Sequence, residues 1–276
     1  MMGTIQELQA QFINYFLNSL SRVQKLTELL LPKKTPPRFP SLTKKFTEKE
    51  KIFKAPPLNQ ELVDAIKLIS PQYPYSVDEK SRLFWEIDHN ACCWAEFEVL
   101  SSILKKIPKP STILEIGPGL GRSVIFFNKV LDWMDAEFHL YEGNGTQARY
   151  SMLGERNNNS FCGNLPILKQ LLEFNGIKNF KFFDASQIGL NSTDLPHFYD
   201  LIYSFYSVGF HWSLEYYLED LLTLMHQNSL AIFTVPMHFT KFSQLEQVYF
   251  KILYWRTSWP ANRRLKFLLL SPSNIF

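Results

Sequence analysis

Thr112-Ile113-Leu114-Glu115-Ile116-Gly117-Pro118-Gly119-Leu120-Gly121-Arg122 is the stretch on which the fold turns. A short, mostly apolar run ends abruptly in three of the chain's eleven glycines. Such a run, bounded by glycine, reads as a buried strand, here Thr112–Ile116. Glycine supplies positive φ at a tight turn and lets a ligand approach without a Cβ in the way. In open α/β sheets, ligands bind at the carboxyl ends of strands. A helix is expected near residues 120–131.

Downstream, short apolar runs alternate with helical stretches, which predicts a parallel sheet with helices on its faces. Strand 2 is expected at Glu137–Tyr141, followed by an irregular insert at 143–162 and a helix at 164–175. Strand 3 is expected at Phe180–Phe183 and strand 4 at Leu201–Phe205, with a helix at 214–226. Strand 5 is expected at Leu230–Val235, with a short helix at 242–249. A last pair, Ile252–Ser258 and Leu265–Leu270, joined by Pro260-Ala-Asn-Arg-Arg264, reads as a hairpin. Asp200 falls at the start of strand 4, away from the ligand edge, and receives no catalytic role.

Upstream, residues 1–31 are expected to be an N-terminal amphipathic helix. Ile5, Leu8, Phe12, Phe16, Leu20, Val23 and Leu30 recur at helical spacing, so residues 4–31 read as one amphipathic helix. Its stripe is expected to pack on its own domain or on a second copy, a homodimer through this helix. Its polar face holds Gln, Asn and Ser rather than Lys and Arg, which disfavours a membrane surface. Residues 32–57 read as a linker, because Pro32, Pro36, Pro37, Pro40, Pro56 and Pro57 break any helix. The linker carries eight Lys/Arg against two Glu, a net of +6. Residues 58–108 read as a helical cap leading into the core, with helices at 60–69 and 78–106. The remainder, 109–276, is the ligand-binding domain.

Composition narrows the function classes. The hydrophobic fraction of 46% and the aromatic fraction of 15% allow a sizeable core. A net charge of +3 gives no case for a nucleic-acid binder held by phosphate contacts. Three cysteines, Cys92, Cys93 and Cys162, form neither a disulfide framework nor a zinc motif, and no metal is expected. No secretory pattern and no run of about 18 apolar residues is seen, so the expected location is cytoplasmic, with no transmembrane segment.

The glycine spacing decides the ligand class. A dinucleotide fold wants G-x-G-x-x-G, but the third glycine counted from Gly117 would fall at position 122, which is Arg122. The turn is G-x-G-x-G, with Glu115 two positions before it. This arrangement resembles the first motif of class I S-adenosylmethionine-dependent methyltransferases. The resemblance covers roughly residues 98–272 and weakly suggests the bacterial sugar O-methyltransferase type. It implies a Rossmann-like three-layer α/β sandwich with a seven-stranded, mostly parallel sheet and an antiparallel C-terminal hairpin, here with an N-terminal helical extension. It also implies S-adenosyl-L-methionine as cofactor. That ligand carries an amino group and a sulfonium instead of a pyrophosphate, and Glu115 can favour its cationic end directly or through water.

Further landmarks follow the family's order. Tyr141-Glu142-Gly143 places an acid at the end of strand 2, where it can accept from both ribose hydroxyls. Phe183-Asp184-Ala185 matches the acid that receives the adenine amino group. Tyr199-Asp200-Leu-Ile-Tyr-Ser204 resembles the family's fourth strand. The expected cofactor residues are Glu115, Gly117, Pro118, Gly119, Gly121, Glu142, Gly143, Asp184, Ala185 and Ser204. One departure is the long polar insert Asn144–Phe161, where Tyr150, Ser151 and Arg156 are candidate contacts.

Methyl transfer is an in-line displacement, so the protein's tasks are alignment and exclusion of water. A hydroxyl acceptor is helped by a base. His211, after strand 4, and His238, after strand 5, are the candidates, since an imidazole titrates near neutrality. Tyr206 and Trp212 are candidates for the acceptor wall, as is His89 on the helix before the sheet. The reading is O-methylation of a small polar or glycan-type acceptor. N-methylation stays open, as does a non-catalytic binding protein on the same fold. A nucleotide-dependent oxidoreductase is opposed by the glycine spacing.

Overall fold

The computed structural model describes residues 47, 50–69, 76–143, 164–185, 187–196, 198–205, 207, 208, 214, 217–236, 250–257 and 265–272. The expected helix at 4–31, the linker up to residue 46, the insert, the helix at 242–249 and the 260–264 turn lie outside the described residues, or nearly so.

The described elements run α1 (Gln60–Ile69), α2 (Glu79–Leu104), β1 (Thr112–Ile116), α3 (Arg122–Val130), β2 (Glu137–Glu142), α4 (Leu165–Phe174), β3 (Phe180–Asp184), β4 (Tyr199–Ser204), α5 (Leu218–Thr223), β5 (Met225–Pro236), β6 (Phe250–Thr257) and β7 (Leu265–Pro272). They build a Rossmann-like α/β sandwich. The sheet order is β3-β2-β1-β4-β5-β7-β6. β1 pairs in parallel with β2 and β4, β2 with β3, and β4 with β5. β7 is antiparallel to both β5 and β6, which makes the C-terminal hairpin.

Side-chain alternation along β1 explains the layering. Ile113 joins a core with Phe138, Leu140, Leu201, Tyr203 and Ile232 under α1 to α4. Leu114 and Ile116 point the other way, to a core with Ile202, Ala231, Phe233 and α5. A strand buried on both faces must be apolar at nearly every position, and β1 breaks that rule only at Glu115, 1% exposed on the α1–α4 side.

One expectation needs correction. The linker does not extend to residue 57. Ile52, Phe53 and Ala55 are 5%, 0% and 1% exposed and belong to the main core. Proline excludes a helix there, but it does not exclude a buried extended strap whose backbone groups are satisfied by side chains. Asn90 on α2 accepts from the Ile52 and Phe53 amides, both at 2.9 Å, and donates to the Phe53 carbonyl at 2.9 Å. Asn175 accepts from Lys54 N at 2.8 Å and donates to Lys54 O at 3.0 Å. The 58–108 stretch runs into that same core. Leu62, Ile66, Trp85, Phe97, Leu100 and Leu104 pack with Phe126 and Phe127 of α3 in one cluster.

Element ends follow local chemistry. Asn164 caps α4 by accepting from Ile167 N at 3.1 Å, and a proline sits in its first turn. α5 is shorter than the expected 214–226 because β5 begins at Met225. The β4–β5 register jumps from Tyr199↔Met225 to Leu201↔Leu230. Ser229 holds that bulge, its hydroxyl donating to Tyr199 O at 2.6 Å and accepting from His226 N at 2.7 Å.

No described helix is long and apolar enough to cross a membrane. Among the described residues, no group of three or more His, Cys, Asp or Glu could hold a metal ion.

Candidate ligand site at the carboxyl ends of the parallel strands

Backbone bonds carry the strand ends into the glycine turn. Gly117 N donates to Tyr141 O at 2.9 Å, which extends the β1–β2 ladder by one bond, and Gly121 N donates to Pro118 O at 2.8 Å. Gly117, Gly119 and Gly121 all have positive φ, at 74°, 57° and 72°. Side chains rarely adopt that conformation, so the alternating glycines are a backbone requirement.

The surroundings separate the three. A Cβ on Gly121 would lie 2.8 Å from Leu168 and 2.9 Å from Leu172, so its bareness lets α4 pack against the turn. A Cβ on Gly117 would meet the Ser207 Cβ at 2.4 Å. Among the described residues, a Cβ on Gly119 would meet nothing within 4 Å. Gly119 is therefore free of a side chain where the fold does not need the room.

Beside that open space lies Glu142, the last residue of β2 and 5% exposed. Its two oxygens accept from Gly119 N and Gly143 N, each at 3.0 Å. Burial pushes the carboxyl up to about 7, against the lowering effect of those two amides. Each oxygen keeps a second acceptor direction, so the carboxylate can still take a vicinal diol. Asp184 is Glu142's register partner on β3, and paired residues share a sheet face. Asp184 accepts from Gln187 Nε2 at 3.2 Å, and Ala185 N donates to Glu142 O at 3.0 Å. Gly117, Gly119, Gly121, Glu142, Gly143, Asp184 and Ala185 thus lie together at one edge of the sheet, next to the buried Pro118.

Glu115 sits differently from its expected role. Its carboxyl points into the core, where Ser123 Oγ bonds one oxygen and Tyr203 OH donates to the other at 2.9 Å. Burial raises it to about 8, partly offset by the two hydroxyls, and the nearby Glu142 charge raises it further. A carboxyl in that state is mostly uncharged near neutrality and offers no direct charge to a ligand. Ser123 and Tyr203 have no counterpart among the expected site residues. The signal available for Ser123 was its place two residues after Gly121, mirroring Glu115 two residues before Gly117.

Ser204 is also withdrawn from ligand contact. It is 0% exposed, donates to Ile116 O at 2.7 Å and accepts from Val208 N at 2.9 Å. Its hydroxyl stitches β4 to β1. His89, a candidate for the acceptor wall, is buried in the core at 7% exposure. It stacks on Phe53 at 3.7 Å and meets Trp85 edge-on at 6.0 Å. Burial, and then the Arg122 charge, hold it well below the ordinary imidazole range, so it is neutral. Its Nε2 has no hydrogen-bond partner among the described residues. Arg122 itself pairs with the buried Glu96 at 3.3 Å, tying the start of α3 to α2. Tyr150, Tyr206, His211, Trp212 and His238 lie outside the described residues.

Asp200 stands at the opposite sheet edge, where it accepts from Ser111 N at 2.7 Å, Ser111 Oγ at 2.6 Å and Thr112 N at 3.1 Å. Its place is structural.

No protein-family model matches the chain, and no curated protein sequence does. Solved structures similar to it include the mitomycin 7-O-methyltransferase MmcR, at a TM-score of 0.46 and 11% identity over 71% of this chain and 58% of that one. A SAM-dependent methyltransferase from Aquifex aeolicus gives 0.46 and 13% identity over 75% and 97%. The [4+2]-cyclase SpnF gives 0.46 and 10% over 80% and 98%. The chain spans little more than half the length of MmcR. Likenesses this remote carry no functional weight, which leaves the geometry of the chain's own residues.

Proposed function

We propose that this chain binds S-adenosylmethionine across its glycine turn and catalyses O-methylation of a small polar or sugar-type acceptor. One observation carries the cofactor reading. The buried Glu142 carboxylate is held by the amides of Gly119 and Gly143 next to the side-chain-free space over Gly119. A ligand with a vicinal diol and a flat adenosyl body suits that pairing, with the diol on Glu142 and the adenine toward Asp184 and Ala185.

When bound, S-adenosylmethionine supplies an electrophilic methyl group on a sulfonium. The chain's own part is to hold, to align and to keep water out. Glu142 orients the ribose end, and the turn's backbone sets how closely the ligand approaches. Removal of the acceptor proton falls to a base, for which His211 and His238 are the candidates on sequence grounds. A nitrogen acceptor would use the same alignment without needing a strong base.

A non-catalytic binding protein is the second reading. It is favoured by the close packing of Ser207 against Gly117, which leaves that part of the turn little room. Calorimetric titration of the full chain with S-adenosylmethionine and with S-adenosylhomocysteine tests the cofactor reading, and no heat with either would end it. Transfer of labelled methyl onto small-molecule extracts, read by mass spectrometry, separates the two readings. Binding without transfer would favour the second.

A further inference from the structure

Glu115 is a carboxyl in the middle of an apolar core, 1% exposed. It precedes the glycine turn by two residues, and Ser123 follows that turn by two. The Ser123 hydroxyl bonds the carboxyl, so the contact closes the turn across its base. The second oxygen takes the Tyr203 hydroxyl from β4 at 2.9 Å. One buried group therefore joins the end of β1, the first turn of α3 and the neighbouring strand β4. Both ends of the segment 117–121 are thereby fixed, and the amide of Gly119 within it is delivered to Glu142 at 3.0 Å.

We propose that Glu115 is a positioning residue: its carboxyl, tied to Ser123 and Tyr203, braces the two ends of the glycine turn so that Gly119 meets Glu142, and it does not act as the counter-charge of a bound cation.

The neighbours support this assignment. Among the described residues, the partners of Glu115 are two hydroxyls, and Glu142 is the charged group beside it. Tyr203, fully buried, is itself pushed well above the ordinary phenol range, by burial first and then by Glu115. Among the described residues no cation balances Glu115, and a buried charge without one is costly. The group is stable there as a neutral acid, which can donate as well as accept. The negative charge available to a ligand then belongs to Glu142, at the open side of the turn. This assignment rests in part on the adenosyl-ligand reading, so the test includes a measurement that needs no ligand.

In ligand-free protein, amide exchange at Gly119 reports the brace directly. Glu115→Leu, which fills the volume without hydrogen bonding, is expected to speed that exchange by about tenfold or more, while Glu115→Gln keeps it near the wild-type rate. Unchanged exchange in the leucine variant would overturn the proposal. If Glu115→Leu does not fold, Tyr203→Phe and Ser123→Ala, which each remove one donor, carry the same measurement with a smaller acceleration expected. With ligands, calorimetry compares S-adenosylmethionine with S-adenosylhomocysteine at neutral pH. The ratio of their affinities is expected to stay within about twofold of wild type in Glu115→Gln. A fall of about tenfold in that ratio would show that Glu115 does balance the sulfonium, and would also overturn the proposal. Wild-type protein that binds neither ligand, yet shows the Gly119 exchange pattern, would end the cofactor reading and leave the brace standing.

Discussion

Two carboxyls near one turn are asked to do different things, and their surroundings assign the tasks. Glu142 faces the open space over Gly119 and is gripped by amides, whereas Glu115 faces the core and is gripped by hydroxyls. If Glu142 receives the ribose diol, Glu142→Ala will weaken S-adenosylmethionine and S-adenosylhomocysteine alike by about tenfold to a hundredfold, since hydrogen bonds to a charged group contribute about 1.5–3 kcal/mol. Calorimetry checks this, and unequal losses would remove Glu142 from the part shared by both ligands. The same residue predicts a pH dependence. Burial holds the free carboxyl near 7, and the ionised form is the better acceptor. Affinity should therefore fall as pH drops below about 7, approaching tenfold per unit, and Glu142→Gln should flatten the profile.

Among the elements, the glycine turn and the strap respond to substitution in opposite ways. Gly121→Ala meets both a strained φ and two leucines, so a stability loss of about 2 kcal/mol or more is expected, with little direct effect on a ligand. Gly119→Ala meets the strain alone. It should cost about 1 kcal/mol in a denaturant melt and yet block ligand binding, because its methyl fills the space beside Glu142. Equal binding losses in the two variants would contradict the separate roles given to these glycines. The strap at 50–58 depends on Asn90, whose removal strands two amides and a carbonyl in the core. Asn90→Ala should cost about 2–4 kcal/mol by the same melt. The turn was legible in the amino-acid sequence because glycine spacing encodes backbone shape directly. The end of β2 was legible because an acid closing an apolar run is a conspicuous break. The strap was not, because prolines signal only what a segment cannot be, and Asn90 lies some 37 residues from its partner Phe53. The direction of Glu115 was not legible for a related reason. Its place beside the turn is written in the chain, but the direction of its side chain depends on Ser123 and on Tyr203 88 residues away.

At the scale of the whole molecule, the two edges of the sheet carry acids shifted in opposite senses, and this sets how stability follows pH. At the ligand edge, Glu115 and Glu142 are raised to about 8 and about 7, chiefly by burial. At the far edge, burial would raise Asp200, but the Ser111 hydroxyl, the Thr112 amide, His226 and the Ser111 amide outweigh it and bring it to about 2. A raised acid binds its proton more tightly in the folded chain, so its contribution is full at low pH and is lost as pH climbs from the unfolded value toward 8. A lowered acid contributes above its unfolded value and loses that contribution as pH falls toward 2. Asp200→Asn should therefore destabilise the protein at pH 5 to 8 by roughly 1–2 kcal/mol, allowing for partial solvent screening, with the gap to wild type closing as pH approaches 2. Glu142→Gln should move the other way, gaining on wild type by a few kcal/mol at most between about pH 5 and pH 8. Urea unfolding across that pH series measures both slopes. Parallel curves for the two variants would show that the opposite shifts at the two edges are not present in the folded chain. Crossing curves would tie the ligand edge's instability near neutrality to its buried acids, since a carboxylate kept from water is costly in the folded chain.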